Sequence, residues 1–516
     1  MQYAIAVIDI GMTNKKIAVY NDSLKQLDVQ YRFFKPLIIN DLECHDLNAM
    51  EEWFIEALGE FAKKYPIKAI AVSTHGATFV CADENGRSAV PCVYYTHEPS
   101  EDFHRCFYER FGKAEELQAR TGTPAFKAMI NPAKGIFFTQ EQFGDKFKNV
   151  RSILPYPQYW GFRFTGNAGV ESTYMGNHTY LWDFSDNRLS SVAHNLGIAS
   201  LIPDKLHNSW DVLGTISSDF AAKTGLSKDT IVTMGIHDSN AAMLPHFAKK
   251  GRKGFILNST GTWCVIMNPV DKYGFSSGEL GKVVFFNISA FGSPIKTAIF
   301  LGGMEFETWS NLFFKQRRRK DIPGWNEELY RSVLKEKRIF LLPELTQGTG
   351  QFPSSRARIV EDGKNYFFDN IDAAPLPENS PQIPPCFCDY EKLFAALRIS
   401  LVMQTLTALE RTYNEPQVSF PRTGIDNPRE VYTEGGFRKD ESYLRLLSSS
   451  IVNKVFLTDI DEAAALGAAM TAKMAVSGKS LNDLSDDIEI NYIEQEKISL
   501  PELDGYRKVW LAEVGK

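Results

Sequence analysis

AIAVIDIGMTNKKIAVY, residues 4–20, is the stretch on which the reading of the whole chain turns. Residues 4–10 are β-branched and apolar and read as a buried strand, Gly11-Met12-Thr13-Asn14-Lys15 as a short polar turn, and Ile17 to Tyr20 as the returning strand. A chain wound strictly as βαβ units does not begin with a tight hairpin, so a mixed α/β plan is expected. The tip of this hairpin also has the makings of an anion site. Gly11 lets backbone N–H groups turn toward a phosphate, Thr13 and Asn14 add side-chain donors, and Lys16 can neutralise charge. Asp9, at the strand end, could hold a hydrated Mg²⁺. An ordinary hairpin with a polar tip would look the same, so its meaning depends on the rest of the chain.

Working outward, residues 49–64 have helical periodicity, 69–73 read as a strand, and 78–81 and 89–94 read as short strands around the turn Glu84-Asn85-Gly86. A basic, glycine-containing cluster at 249–254 interrupts the chain near its midpoint. A second strand–turn–strand follows: Gly254 to Leu257, the turn Ser259-Thr260-Gly261-Thr262, then Trp263 to Met267. One hairpin with small hydroxyl and glycine residues thus opens each half, which predicts two lobes of related plan, 1–248 and 249–516. Later, 372–385 are proline-rich and read as an exposed loop, and Tyr390 to Thr412 as a long helix with Leu393, Leu397, Leu401, Thr405 and Leu409 on one stripe. Val431 to Glu434 are strand-like and run into Gly435-Gly436, and Asp461 to Ala475 form a small-residue helix suited to close packing.

At 516 residues the chain is too long for one ordinary core, and 44% hydrophobic with 23% charged residues suits a soluble globular protein. A net charge of −6 and a pI near 5.9 predict no strong attraction to nucleic acid or anionic membrane. The seven cysteines are odd in number and scattered, without paired CxxC spacing, and read as reduced structural thiols. The opening run is cut by Asp9 and is not a signal peptide, and no uninterrupted apolar stretch reaches a membrane span, so a cytoplasmic protein is expected.

Familiar nucleotide loops fail. Gly478-Lys479-Ser480 ends like a P-loop, but Lys473 stands where the leading glycine belongs, and Gly348-Thr349-Gly350 lacks the third glycine of a dinucleotide fingerprint. Three further segments join the first hairpin. In Gly235-Ile236-His237-Asp238-Ser239-Asn240 an apolar strand gives way to a helix with Asp238 at its start. Aspartate is a common N-cap there, but the helix dipole also favours the ionised carboxylate that a base needs. Ser259-Thr260-Gly261-Thr262 is a second phosphate-type turn. Gly435-Gly436 would let backbone approach a flat ring or a phosphate.

In this order, the pieces DIGMTNKK (9–16), GIHDSNAA (235–242), NSTGTW (258–263), EGGFRKD (434–440) and EAAALGAA (462–469) resemble the FGGY family of carbohydrate kinases, over nearly the whole chain from Asp9 to about Ala475. The resemblance implies an α/β fold of two actin-like (ribonuclease H-like) domains, with ATP, Mg²⁺ and a sugar in the cleft between them. By position it implies Asp238 as catalytic base, Asp9 near the metal, and Gly11, Thr13, Asn14 and Lys16 on the first phosphate hairpin. Thr260 and Gly261 would meet the phosphates from the second lobe, Gly435 and Gly436 would line the adenosine pocket, and His237 would stand beside the sugar. His75, Gly76 and Glu171 are expected to shape the sugar pocket. The aromatic stretch Tyr156 to Phe164 is expected to be core packing.

STGTW is most similar to the branch holding rhamnulose and fuculose kinases, which makes a 6-deoxyketose the first expected substrate. Departures concern the sugar side. Thr78 stands where that branch tends to have Asp, Thr96 and His97 where Asp and a basic residue are usual, and Met12 where a Thr is usual in the phosphate loop. His75-Gly76 resembles the xylulose-kinase segment instead, so a pentulose or polyol kinase remains open. So does an actin-like ATPase or a catalytically silent sugar sensor on the same scaffold, since fold does not fix function. The expected partners are a small sugar and ATP, with no nucleic acid and no membrane. The oligomeric state is not given by the sequence, a homodimer being one state considered.

Overall fold

The first hairpin forms as read, but its turn is shorter. In the computed structural model, which describes residues 2–252, 254–372, 382–413 and 429–516, β1 (Ala4–Ile10) and β2 (Asn14–Asn21) pair antiparallel with Asp9 opposite Lys16 and Ile10 opposite Lys15. Strand geometry therefore already holds at Asn14, and the turn is Gly11–Thr13 alone. Alternation then sends Lys15 and Lys16 to opposite faces of the sheet. The antiparallel β3 (Gln26–Phe33) follows β2, and α1 (Leu47–Ala62) starts where the Asp46 carboxylate accepts the Ala49 N–H. β4 (Ile67–Thr74) lies parallel to β1 on its other side. With β5 (Val212–Thr215), β6 (Ile231–Thr233) and β7 (Ile236–His237), these make a seven-stranded sheet in the order β5-β6-β4-β1-β2-β3, β7 pairing beside β4.

The second lobe repeats the plan. β8 (Phe255–Thr260) and β9 (Cys264–Pro269) form its hairpin. With β10 (Val284–Ile288), β11 (Pro294–Phe300), β12 (Glu430–Gly435), β13 (Val455–Thr458) and β14 (Tyr492–Glu494) they give the order β10-β11-β9-β8-β12-β13-β14. In both sheets an antiparallel hairpin sits at the centre and parallel strands extend from its first member, β1 to β4 and β8 to β12. The sequence halves differ, but their hydrogen-bond plans agree.

Two helices join the lobes. α4 (Asp238–Lys250) leaves the end of β7, and α6 (Ala463–Ser477) leaves the second sheet. Both lie in one apolar core with Ile5 and Val7 from the first sheet and Leu257 and Met267 from the second. A Cβ on Gly467 would fall 1.9 Å from the Ala241 carbonyl oxygen, so only glycine permits this crossing. On the outer face of the first sheet, α1 and α2 (Tyr156–Thr165) close another core, where Tyr156, Tyr159, Trp160 and Phe164 are buried as expected of that aromatic stretch. The long helix α5 (Tyr390–Arg411) carries its leucine stripe, but 94% of its most apolar window is buried in the second lobe. Its length and apolarity thus serve a core.

Two expectations change. Residues 89–94 form no strand: Val93 makes one isolated bridge to Cys44, and Pro91, without an N–H, cannot extend a ladder. Ser259 and Thr260 belong to β8, so the second turn begins at Gly261. All seven cysteines are free. Most of the proline-rich 372–385 loop lies outside the described residues, as does Lys253 of the midpoint cluster.

Candidate active site

The ends of β1, β4 and β7 converge on the interlobe cleft. Asp9 is 8% exposed, and its carboxylate lies 2.9 Å from Lys16 Nζ, which also pairs with Glu462 at the head of α6. Burial raises the Asp9 pKa, Lys16 opposes this, and the charges of Asp238 and Glu462 add to the rise. Asp9, Lys16 and Asp238 are therefore electrostatically coupled across one small space. The hairpin tip beside them, Thr13 and Asn14, is exposed, and Gly11 N–H closes the turn on the Asn14 carbonyl at 3.0 Å.

Asp238 is the first residue of α4, His237 holding the capping position, and its carboxylate accepts Ser239 N–H at 2.5 Å. Burial pushes its pKa up to about 6, against the pull of that hydrogen bond and of Lys16. Its side chain keeps 32% exposure, so it is desolvated yet reachable from the cleft. Beside it stands a wall of uncharged polar groups. His237 Nε2 is 2.9 Å from Asn177 Nδ2 and 3.2 Å from Asp238 Oδ1, and its Nδ1 faces Asn240 Nδ2 at 3.3 Å. Burial drives His237 and His178 down to about 3 and His75 to about 4, so all three are neutral at pH 7. A Cβ on Gly76 would come within 3.0 Å of Asn177 Nδ2, His178 Nε2 and His237 Nε2, so the glycine keeps this corner open. The buried His75 Nε2, Asn177 Oδ1, Asn240 Oδ1 and Thr78 Oγ1 make no hydrogen bond within the protein, a supply of polar atoms suited to a hydroxyl-rich ligand.

On the second lobe a cavity of about 660 Å³ opens beside the second hairpin, lined by Gly261, Gly303, Phe306, Trp325, Gly436 and Asp440 among others. Its mixed glycine and aromatic walls suit a flat heterocycle with a polar tail. A larger cavity, about 810 Å³, lies on the outer face of the first lobe around Glu51, Arg87 and Tyr159 and holds none of the cleft residues.

Residues 4–245 match the FGGY family of carbohydrate kinases, N-terminal domain, and residues 252–373 match the carbohydrate kinase FGGY, C-terminal domain. This chain belongs to the FGGY carbohydrate kinase family. A rhamnulokinase of Halalkalibacterium halodurans is 25% identical over 272 residues, a match spanning 52% of this chain and 56% of that protein. The crystal structure of a carbohydrate kinase from Novosphingobium aromaticivorans superposes with a TM-score of 0.76 at 25% identity, covering 99% of this chain and 98% of the other. That of a ligand-bound xylulose kinase from Lactobacillus acidophilus gives 0.78 at 14% identity, over 99% and 96%, and shares the fold.

Within this FGGY chain most of the expected residues gather where the motifs put them: Asp9, Gly11, Thr13, Asn14 and Lys16 at the first hairpin, His75, Gly76, His237 and Asp238 at the sugar-side corner, Gly261 and Gly436 at the second-lobe cavity. Three need closer description. Thr260 lines that same cavity, and its Oγ1 donates to the Glu434 carbonyl and accepts Phe437 N–H at 3.0 Å, so its hydroxyl ties β8 to the turn after β12. Gly435 adjoins that tie without lining the cavity: a Cβ there would sit 1.9 Å from the Thr260 carbonyl oxygen.

Glu171 is the third. It is fully buried and accepts hydrogen bonds from Thr173 N, Thr173 Oγ1, Tyr174 N and Ser209 Oγ, capping α3 (Ser172–Met175). Thr173 Oγ1 in turn accepts His237 N–H at 3.1 Å, so Glu171 positions the sugar wall from behind rather than contacting a sugar. Glu171→Ala, which strands those donors, is expected to cost about 2 kcal/mol of stability and to raise the sugar KM while ADP affinity holds. Thermal unfolding and titration calorimetry measure both.

The altered segments also resolve in part. His97 packs on Phe138 with ring centroids 5.0 Å apart, and Thr96 is exposed. Tyr95 turns inward instead, 5.3 Å from the His75 ring and close enough for Asp238 to add to its raised pKa of about 12. Tyr95, Asn177, His178, Asn240 and Glu462 were not singled out from the sequence as site residues. Asn240 and Glu462 stood inside quoted motifs; the others come from segments without a local signature.

Proposed function

We propose that this chain transfers the γ-phosphoryl group of ATP to a hydroxyl of a small sugar, with a 6-deoxyketose such as L-rhamnulose or L-fuculose as the first substrate class. The observation that carries the reading is Asp238: a reachable carboxylate with its pKa pushed up to about 6, set between a neutral histidine–amide wall and the Lys16–Asp9 pair. The wall binds and orients hydroxyls without bringing charge. Asp238 accepts the hydroxyl proton as that oxygen bonds to the γ-phosphorus, the bond to the bridging oxygen of ADP breaks, and Lys16 faces the charge on the transferring group. A general base with a pKa just below neutrality is ionised at pH 7 yet still basic enough to take a proton late in the step. Lys16 already serves Asp9 and Glu462 together, and releasing Glu462 would leave more of its ammonium for phosphate.

Asp9 is suited to Mg²⁺. It is a buried carboxylate whose ionisation is opposed by burial, and a cation would relieve this. Among the described residues no group of three or more His, Cys, Asp or Glu forms a protein-only metal cage, as befits an ion held by one carboxylate, water and phosphate oxygens. Bound there, the ion would neutralise charge on the phosphates. Asp9→Ala is expected to raise the Mg²⁺ concentration for half-maximal turnover by about tenfold, one ligand's worth of roughly 1.4 kcal/mol. An unchanged metal titration would remove the metal role.

The deciding experiment is ADP release with and without L-rhamnulose, L-fuculose, xylulose, ribulose and glycerol. Sugar-independent turnover would sink the kinase reading in favour of an ATPase, and binding without turnover would leave a sensor. Pentulose phosphorylation is the second reading, favoured by His75 and Gly76 at the sugar corner; preference for xylulose or ribulose in the same panel would select it.

A further inference from the structure

The first sheet ends in a strand that no other strand pairs with on its outer edge among the described residues. β3 is its outermost member, pairs only with β2, and carries no proline, lysine or bulge between Val29 and Phe33. Natural sheets usually blunt such edges. Instead, Tyr31, whose hydroxyl donates to Glu462 at the head of α6, is 58% exposed, and Phe33, two residues on, is 60% exposed. Leu37 and Ile38, just beyond the strand, are exposed as well. Val29 N–H is taken by the Asp28 carboxylate at 2.9 Å rather than by β2, so the odd-numbered residues 29, 31 and 33 point their backbone groups outward.

The sequence of the strand says what fits it. The register with β2 shifts at Leu27, and the regular stretch beyond it, Asp28-Val29-Gln30-Tyr31-Arg32, is complementary to itself when reversed about Gln30. Asp28 then faces Arg32 and Val29 faces Tyr31, each pairing occurring twice. The residues that come opposite as Val29 and Tyr31 are those with outward N–H and C=O groups, so the register that pairs the charges also supplies the hydrogen bonds. Asp28 accepts Val29 N–H at 2.9 Å, Tyr65 Oη at 3.3 Å and Lys64 Nζ at 3.2 Å, and Arg32 lies 3.4 Å from Glu56 and 5.6 Å from the centre of the Trp53 ring, its side chain 45% exposed. Both can be shared with a partner at little loss.

We propose that two copies of this chain pair along β3, antiparallel about a two-fold axis through Gln30, joining their seven-stranded sheets into one. The partner is a second copy because the complementarity is of the strand with itself, as an isologous contact requires. A strand from another protein would have no reason to match this charge order.

The test uses the purified full chain. Sedimentation across a dilution series should find a species of twice the 58.2 kDa chain mass, dissociating on dilution. Asp28→Arg sets like charges opposite Arg32 at two places and should weaken pairing on the order of tenfold or more. Asp28→Arg combined with Arg32→Asp restores opposite charges and should restore the dimer. A monomer at every concentration would overturn the proposal. So would a dimer indifferent to Asp28→Arg, which places the contact on another face. If Asp28→Arg fails to fold, amide hydrogen exchange of the wild-type chain decides: residues 29–33 should gain protection as concentration rises, and no gain overturns the pairing. A species containing a different protein after co-expression, with the pure chain monomeric, would give the edge to another occupant and likewise overturn it.

Discussion

Asp238→Asn is expected to lower kcat for sugar phosphorylation by about a thousandfold, inside the ~10²–10⁴-fold span of a positioned general base, with ADP affinity nearly unchanged. The amide fills the same place at the head of α4 but cannot take the proton. The pH dependence follows from the same group. Its pKa is pushed up to about 6, and the base works only when ionised, so kcat/KM should rise with pH and level off above about 6. In the variant that inflection should vanish from what activity remains. Stability should move the other way. A carboxyl whose folded pKa lies above its unfolded value of 3.8 binds its proton more tightly when folded, so its contribution to stability is present at low pH and lost as pH rises through that interval toward 6. At pH 7 the ionised Asp238 is a burden on the fold, and Asp238→Asn should melt no lower than the wild type. A variant that keeps near-normal turnover, or loses activity together with its fold, would count against the role of Asp238.

Gly435→Ala is the second large effect. Gly435 sits at φ 79°, ψ −147°, a conformation that side chains other than hydrogen do not accept, and a Cβ there would lie 1.9 Å from the Thr260 carbonyl oxygen. Backbone strain and clash together are expected to cost about 3 kcal/mol or more. The junction of β8 with β12 must part to make room, and with it the wall of the nucleotide cavity. Gly436→Ala is the control, since its Cβ would rest at an ordinary 3.7 Å from the same oxygen. Thermal unfolding and ADP titration should separate the pair: the first variant loses both stability and nucleotide, the second stays folded. Equal behaviour of the two would show that the close approach does not matter.

What the sequence disclosed was chemistry carried by contiguous residues. Neither the hairpin from Asp9 to Lys16 nor Asp238 at a strand-to-helix junction was decisive alone, each having an ordinary structural counterpart, and their order along the chain with the later glycine turns gave them meaning. Thr260 lines the second-lobe cavity, but its place in the turn was misread, because a β-branched residue beside a glycine turn belongs to the turn or the strand according to register, and its partner Cys264 decides that only once the hairpin is formed. Glu171 was expected to shape the sugar pocket, and the manner was not legible: an acid before two hydroxyl residues is also a helix cap, and full burial with its acceptor capacity used on Thr173, Tyr174 and Ser209 gives it that role behind His237. Of the corner beside Asp238 the sequence indicated His75, Gly76 and His237 but not Asn177 and His178, which come from a distant segment and acquire meaning only from Gly76, whose missing side chain lets them approach His237.

The crossing of α4 and α6 at Gly467 has a consequence for how such an enzyme can change. Asp238 heads one of these helices and Glu462, the partner of Lys16, stands at the head of the other, so the proposed base and the carboxylate that holds Lys16 are indexed to a backbone contact with no slack. Beyond His237 and Asn240 at the head of α4, the polar corner beside Asp238 hangs on loops from elsewhere, at 75–78, 95–97 and 177–178. Substitutions there can retune which alcohol is admitted without disturbing the helix-borne charges. The acceptor is a replaceable fitting on a fixed engine, and drift in those loops is what this architecture tolerates most cheaply.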